Sequence, residues 1–194
     1  MAQFGLVLDV SALIPCGDKP EEVKEAIRQL GYILYNLDCV TIYFSAYLIK
    51  VYHSIFSREL NYHHPLPPFQ ASLLILLPTL IKIIKTSRSF LCKINQTESG
   101  IMYHVLETTR VKDYNVNNAG LTEEDDKEVL RIALAAAPRH RKVFIISADR
   151  HFLENVNRTE LSRRYRNESQ KIDIVAPNDT NFMVLLNREC RSND

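Results

Sequence analysis

The chain has 194 residues, a formal net charge of +1 and a hydrophobic fraction of 46%. This length suits one domain, spanning 1–194, rather than two independent domains. The near-zero net charge excludes a uniformly basic surface, so any contact with nucleic acid requires a local patch. The basic clusters at 139–142 and 163–166 are either such phosphate contacts or solvated surface.

Cysteine usage and hydropathy predict a cytoplasmic protein with no membrane segment. The four cysteines, at positions 16, 39, 92 and 190, show no C-x-x-C spacing, which predicts reduced thiols. Asp9 interrupts the first apolar run, and no basic region precedes it, so no secretory signal is expected. The most apolar stretch, 71–84, is shorter than a membrane helix and contains Pro78 and Lys82.

Short apolar runs alternate with helical patterns along the chain. The runs at 4–8, 40–44, 143–147 and 172–175 are typical of buried parallel strands. Apolar side chains at helical spacing predict helices over 20–35 and 45–60. The alternation predicts an α/β fold with a doubly wound sheet.

Residues 69–115 are predicted to form a helical insertion, a pair of helices with a polar hinge near 95–100. Their large apolar side chains exceed what one helix face can bury against a small core. They form either part of the core or a self-association surface. The residues concerned are Leu73, Leu74, Leu77, Leu80, Ile81 and Ile84.

The most regular helical pattern runs from 123 to 137. Thr122 with Asp125 three residues later has the spacing of a capping box, and Pro138 marks the end of the helix. At about 100° per residue, Asp126 falls on the apolar face of this helix and is expected to point toward the core. That face also carries Val129, Leu130, Ala133 and Ala137.

Three aspartates that are distant in sequence are placed at one edge of the predicted sheet. Asp9 ends the first strand, Asp149 follows the third, and Asp126 opens the helix that leads into the third. Ligands of open α/β sheets bind outside the carboxyl ends of the strands. Singly, each aspartate could be a turn former, a helix cap or a complement to the helix dipole. Together they predict a bound cation, because an unpaired buried carboxylate is costly.

All-oxygen ligation favours Mg²⁺ or Mn²⁺ over zinc, since no His or Cys pair has ligand spacing. An ion held by Asp9, Asp126 and Asp149 can orient and deprotonate a water for attack on a phosphodiester. Competing chemistries lack their motifs, because the chain has no G-x-G-x-x-G, P-loop or G-x-S-x-G. The residues therefore predict metal-dependent hydrolysis of nucleic acid.

Four segments, in this order, resemble PIN domains: LVLDVSAL at 6–13, the stretch 126–133, IISADRHFL at 145–153 and IDIVAP at 172–177. The resemblance covers about 4–60 and 120–185. It implies a three-layer α/β/α sandwich with a central, mainly parallel sheet. It also implies a metal-dependent endoribonuclease acting on RNA, as in many toxin components of toxin-antitoxin pairs. It also implies an antitoxin or other protein partner, and a homodimer, because family members often pair.

The resemblance also implies roles for particular residues. Asp9, Asp126 and Asp149 match three acidic positions of the family and are expected to be catalytic metal ligands. Ser11 and Ser147 match its small hydroxyl positions and are expected to orient the ligands or a water by hydrogen bonds.

One position departs from the family pattern. PIN domains commonly carry a glutamate in the helix after the second strand, where this chain has Val51. Either metal binding is weakened there, or Glu123, on the same side of its helix as Asp126, substitutes. The departure favours an alternative function, a degenerate PIN-like domain that binds RNA or a protein partner without cleavage.

Overall fold

A central sheet organises the computed structural model, which describes residues 4–15, 17–37, 39–59, 66–84, 90–93 and 102–191. Its strands are β1 (Phe4–Leu8), β2 (Val40–Ser45), β3 (Phe90–Lys93), β4 (Met102–Leu106), β5 (Lys142–Ile146) and β6 (Ile172–Val175). They are ordered β3-β4-β2-β1-β5-β6. The antiparallel pair is β3 with β4, and the other neighbours are parallel.

Helices flank this sheet. They are α1 (Glu21–Tyr35), α2 (Ala46–Glu59), α3 (Pro68–Ile84), α4 (Thr108–Lys112), α5 (Glu124–Ala136), α6 (Arg150–Asn155), α7 (Arg158–Arg164), α8 (Arg166–Ser169) and α9 (Thr180–Arg191). Short 3₁₀ helices cover Val10–Ala12 and Ala137–Arg139.

The predicted α/β sandwich is confirmed. Every side chain of β1 and β2 is buried, so both faces of these central strands are covered, as in a three-layer α/β/α arrangement. The predicted strands and the first two predicted helices appear within about a residue or two of their expected bounds, the usual uncertainty of element ends.

Residues 69–115 differ from the predicted pair of inserted helices. The first helix exists as α3, but the second is replaced by β3, β4 and α4. β4 pairs with β2 over its whole length and therefore belongs to the central sheet. A short apolar run is compatible with both the helical and the strand periodicity. Here the segment is a strand because it pairs with β2, and the local sequence does not reveal that pairing. The predicted hinge at 95–100 lies outside the described residues.

The apolar side chains proposed for self-association contribute at least in part to the core of the chain. Leu73, Leu77 and Leu80 are fully buried within the chain, where α3 packs against α1 and α2. The other three of these side chains are partly buried against the core. An amphipathic helix can bury more apolar area when it contacts two helices at once. The homodimer itself stays a prediction.

The prediction of reduced thiols is wrong for Cys39, which is disulfide-bonded. Cysteines that are distant in sequence can be brought together by the fold, and a search for C-x-x-C spacing does not detect such pairs. Among the helices of the described ranges, none is both long and apolar enough to cross a membrane.

Candidate functional site

Asp9 lies between the carboxyl ends of two neighbouring strands. It directly follows β1, and its backbone N–H donates to the carbonyl of Ile146 in β5 at 2.9 Å. Its side chain is only 4% exposed. Burial raises the pKa of the Asp9 carboxyl, and hydrogen bonds from Ser11 and Ser147 oppose that rise. The buried environment therefore disfavours the charged form of the Asp9 carboxyl.

Two serine hydroxyls fix the orientation of this carboxylate. Ser147 Oγ donates to Asp9 Oδ2 at 2.7 Å, and Ser11 Oγ donates to the same oxygen. The Ser11 hydroxyl accepts from the Ala148 N–H at 2.9 Å, and the Ser147 hydroxyl accepts from the Asp149 N–H at 3.0 Å. Because each hydroxyl has one proton and its oxygen already accepts a backbone N–H, that proton is directed at Asp9.

Asp126 faces the core from the first turn of α5, as predicted. Its side chain is 7% exposed, and its neighbours on that helix face are buried. The pKa of Asp126 is raised to about 6, first by burial and then by the negative charges of Asp9 and Asp149. The three carboxylates therefore lie within electrostatic range of one another, and we refer to Asp9, Asp126 and Asp149 as the acidic cluster.

The predicted capping box at the start of α5 is absent. Glu123, with φ −73° and ψ 140°, occupies the N-cap position, and no side chain caps the helix there. The helix therefore begins one residue later than the pair of Thr122 and Asp125 requires. Glu123 is exposed, yet its charge contributes to the raised pKa of Asp126, so it lies within electrostatic range of the acidic cluster.

Asp149 combines a structural contact with membership of the cluster. It is the N-cap of α6, where its Oδ1 accepts from the His151 N–H at 2.7 Å. Its charge also raises the pKa of both Asp9 and Asp126. The helix-cap role that the sequence allows is therefore present, and it coexists with proximity to the other two acids.

A close backbone contact joins the segment that leads into α5 to the segment that follows α6. The Asn157 N–H donates to the Ala119 carbonyl at 2.7 Å. Gly120 next to it has φ +85°, and a Cβ added there would lie 2.1 Å from the Asn155 carbonyl oxygen. Both the left-handed backbone and the close approach require glycine.

Helix α2 reaches the site with two tyrosines that the sequence pattern did not single out. Tyr52 is fully buried and donates to the Leu8 carbonyl, next to Asp9. Burial raises the pKa of Tyr52, and the charge of Asp9 raises it further. Tyr47 is 43% exposed and donates to Asp125 Oδ1 at 2.5 Å. The hydrophobic pattern of α2 treats both tyrosines as apolar residues. It therefore does not predict the hydrogen bonds of their hydroxyl groups.

Val51 lies in α2 between these two tyrosines. It is four residues after Tyr47, whose hydroxyl contacts Asp125, and one residue before Tyr52, whose hydroxyl contacts the Leu8 carbonyl. Its side chain is partly exposed. At the site, α2 therefore supplies hydroxyl groups and an apolar side chain, and no carboxylate.

The acidic cluster has suitable donors for a hard cation. Carboxylate and hydroxyl oxygens are the ligands that Mg²⁺ and Mn²⁺ prefer, and the raised pKa of Asp9 and Asp126 reflects burial without a positive neighbour. In the described part of the chain, no three or more His, Cys, Asp or Glu side chains are grouped so that they could hold a metal ion. Asp9, Asp126 and Asp149 would have to draw closer together, or bind through water, to hold an ion directly.

Comparisons with known proteins found no family model, no curated protein and no solved structure that matches this chain. The site is therefore interpreted from its own geometry and chemistry.

Proposed function

We propose that the chain is a divalent-metal-dependent endoribonuclease that hydrolyses RNA phosphodiesters, with Mg²⁺ or Mn²⁺ held by Asp9, Asp126 and Asp149. The observation that carries the proposal is the placement of Asp9, Asp126 and Asp149 at one edge of the sheet, where burial and the charges of the other two aspartates raise the pKa of Asp126. A cation bound by the acidic cluster would offset this repulsion. The resemblance of the same segments to PIN domains supports RNA as the substrate.

The residues of the site would have different roles in such a reaction. A bound ion supplies Lewis-acid chemistry, lowering the pKa of a water and offsetting charge on phosphoryl oxygens. Ser11 and Ser147 hold the Asp9 carboxylate in one orientation, which reduces the reorganisation needed to bind a cation. Asp126 and Asp149 would hold the ion together with Asp9, from the side of α5 and the N-cap of α6.

A second candidate function is an RNA-binding or protein-binding domain without cleavage. Two observations favour it: Val51 stands where a PIN domain commonly has a glutamate, and one oxygen of Asp149 caps α6. An antitoxin partner, a homodimer and a cytoplasmic location stay predictions that rest on the resemblance and on composition.

The deciding experiment is RNA cleavage with Mn²⁺ or Mg²⁺, compared with an EDTA control. We expect cleavage by the wild type and by Asp113→Asn, which changes an exposed aspartate outside the acidic cluster, and none by Asp9→Asn. Activity that survives both Asp126→Asn and Asp149→Asn would belong to another site or to a contaminant. RNA binding without cleavage would support the second candidate.

A further inference from the structure

A second cluster of titratable side chains lies around the middle of β2 and β4, whereas the acidic cluster lies at the carboxyl end of the strands. His104 is central in β4, and its neighbour across the sheet is Tyr43 in β2, with ring centroids 5.1 Å apart. The Tyr43 hydroxyl lies 2.7 Å from Nε2 of His140. Arg139, just before β5, contacts His104, and Arg110, in α4, lies within electrostatic range of His104 and Tyr43. We refer to His104, Arg110, Arg139 and His140 as the basic cluster.

The imidazole of His104 accepts a hydrogen bond from an arginine. Arg139 Nη1 lies 2.9 Å from Nδ1 and 3.2 Å from Nε2 of His104. Since a guanidinium only donates, the His104 ring must be neutral to accept. The pKa of His104 is lowered to about 4, first by burial and then by the charges of Arg139, Arg110 and His140.

The two arginines have no carboxylate partner among the residues that the structure describes. Several other arginines pair with a glutamate, as Arg131 does with Glu124 and Arg150 with Glu154 at 2.6 Å. Among the described residues, no carboxylate forms an ion pair with Arg110 or Arg139. Like charges gathered beside a buried imidazole repel one another, and a bound anion would relieve that repulsion.

We propose that the basic cluster is an anion site that binds a phosphate group between the guanidinium groups of Arg110 and Arg139, beside His104. Guanidinium groups present paired N–H donors that match phosphate oxygens. Two arginines can bind different oxygens of one phosphate group, whether that group is a phosphodiester or a phosphate monoester. The phosphate belongs either to an RNA backbone or to a small phosphate ester. Neither source requires the acidic cluster to be catalytic.

The test is a titration of the metal-free protein with inorganic phosphate, monitored by the NMR signal of the His104 ring. Chloride keeps the ionic strength constant at about pH 7.5, where His104 is neutral. We expect a saturable shift in the wild type and in Arg141→Gln, an exposed neighbour that serves as the matched control. Phosphate affinity should fall roughly tenfold or more in Arg139→Gln and in Arg110→Gln. Bound phosphate should also raise the pKa of His104.

Equal phosphate affinity in Arg139→Gln and Arg141→Gln, or no saturable shift in the wild type, overturns the proposal. Arg110→Gln changes a different element, so it keeps the test valid if Arg139→Gln fails to fold. A second arm adds a short single-stranded RNA without terminal phosphates. Displacement of that RNA by inorganic phosphate identifies a backbone phosphate as the ligand, whereas binding of phosphate alone identifies a small ester. No arm measures cleavage, so the result is independent of the proposed ribonuclease activity.

Discussion

The acidic cluster and the basic cluster respond to like-charge repulsion in different ways. The pKa of Asp126 is raised only to about 6, so this carboxylate is mostly ionised at neutral pH. The pKa of His104 is lowered to about 4, so this imidazole is neutral there. The basic cluster has therefore already lost one charge at neutral pH, whereas the acidic cluster retains its repulsion. The difference shows why the acidic cluster has the greater need of a counter-ion.

The largest expected effect comes from removing one charge of the acidic cluster. Asp9→Asn should reduce metal-dependent RNA cleavage by about a hundredfold or more, because it removes an anionic ligand. The folded protein should keep its stability without metal, since the amide oxygen can still accept from Ser11 and Ser147. Cleavage rates and thermal unfolding measured with EDTA check both parts. Loss of folding instead of activity would contradict this interpretation of the cluster.

A second prediction concerns the pH dependence of stability, in which the two clusters oppose each other. The pKa of Asp126 is raised from 3.8 to about 6, so its contribution is present below pH 3.8 and is lost as pH rises through 6. The pKa of His104 is lowered from 6.5 to about 4, so its contribution is present above pH 6.5 and is lost as pH falls toward 4. Each group changes the free energy of unfolding by at most about 1.4 kcal/mol per pH unit.

Single variants should separate these opposing contributions. We expect Asp126→Asn to lose stability on acidification between about pH 6.5 and 4. In this variant the destabilising protonation of His104 is no longer offset by the stabilising protonation of Asp126. His104→Gln should gain stability over the same interval. Urea unfolding of the metal-free proteins at several pH values measures both slopes. If the free energy of unfolding had the same pH dependence in both variants, Asp126 and His104 would not make opposing contributions to stability.

The third prediction adds a charge to the acidic cluster. Val51→Glu should tighten Mn²⁺ binding by roughly tenfold, because it supplies a carboxylate where α2 borders the cluster. Because the wild type lacks this carboxylate and should bind the ion more weakly, we expect it to be more active with Mn²⁺ than with Mg²⁺. Calorimetric titration of Mn²⁺ measures the change. Ser57→Glu is the matched control, since Ser57 is exposed and lies about 9 Å farther along the helix. Unchanged or lost binding in a folded Val51→Glu protein would place Val51 away from the cluster.

The smallest expected effect tests how α2 is attached to the rim of the acidic cluster. Tyr47→Phe removes the hydrogen bond to Asp125 and should lower the free energy of unfolding by roughly 0.5 to 1 kcal/mol, because the pair is partly exposed. Tyr32→Phe, at a tyrosine that is 57% exposed on α1, should have almost no effect. Chemical denaturation compares the two variants. Equal effects would mean that the contact with Asp125 contributes nothing measurable.

The strands that the sequence predicts well are those whose pattern is purely local. β1 and β5 are continuous apolar runs, and burial on both faces explains that composition. β4 has His104 at its centre, a polar residue whose contact with Arg139 spans 35 positions in sequence. A pattern analysis has no means of anticipating such a contact, so the strand character of this segment is hidden.

The candidate site is likewise only partly predictable from local sequence patterns. The order of strands and helices suffices to bring Asp9, Asp126 and Asp149 to one edge, because parallel strands end at the same edge of a sheet. The hydroxyl contacts of Tyr47 and Tyr52 depend on how α2 lies against β1 and α5, which no local pattern specifies. The metal role of the three aspartates stays a prediction until an ion is titrated.

The glycine contact between the segments that precede α5 and follow α6 has a consequence for the acidic cluster. Gly120 lies directly against the backbone of Asn155, and the Ala119 carbonyl is bonded to Asn157, so the segment that leads into α5 is tied to the segment that follows α6. α5 itself packs against β1, β2 and β5, and Asp9 is bonded to Ile146 of β5. All three aspartates are therefore attached to one framework. The spacing of the two segments that flank Asp126 and Asp149 in sequence depends on a residue that has no side chain.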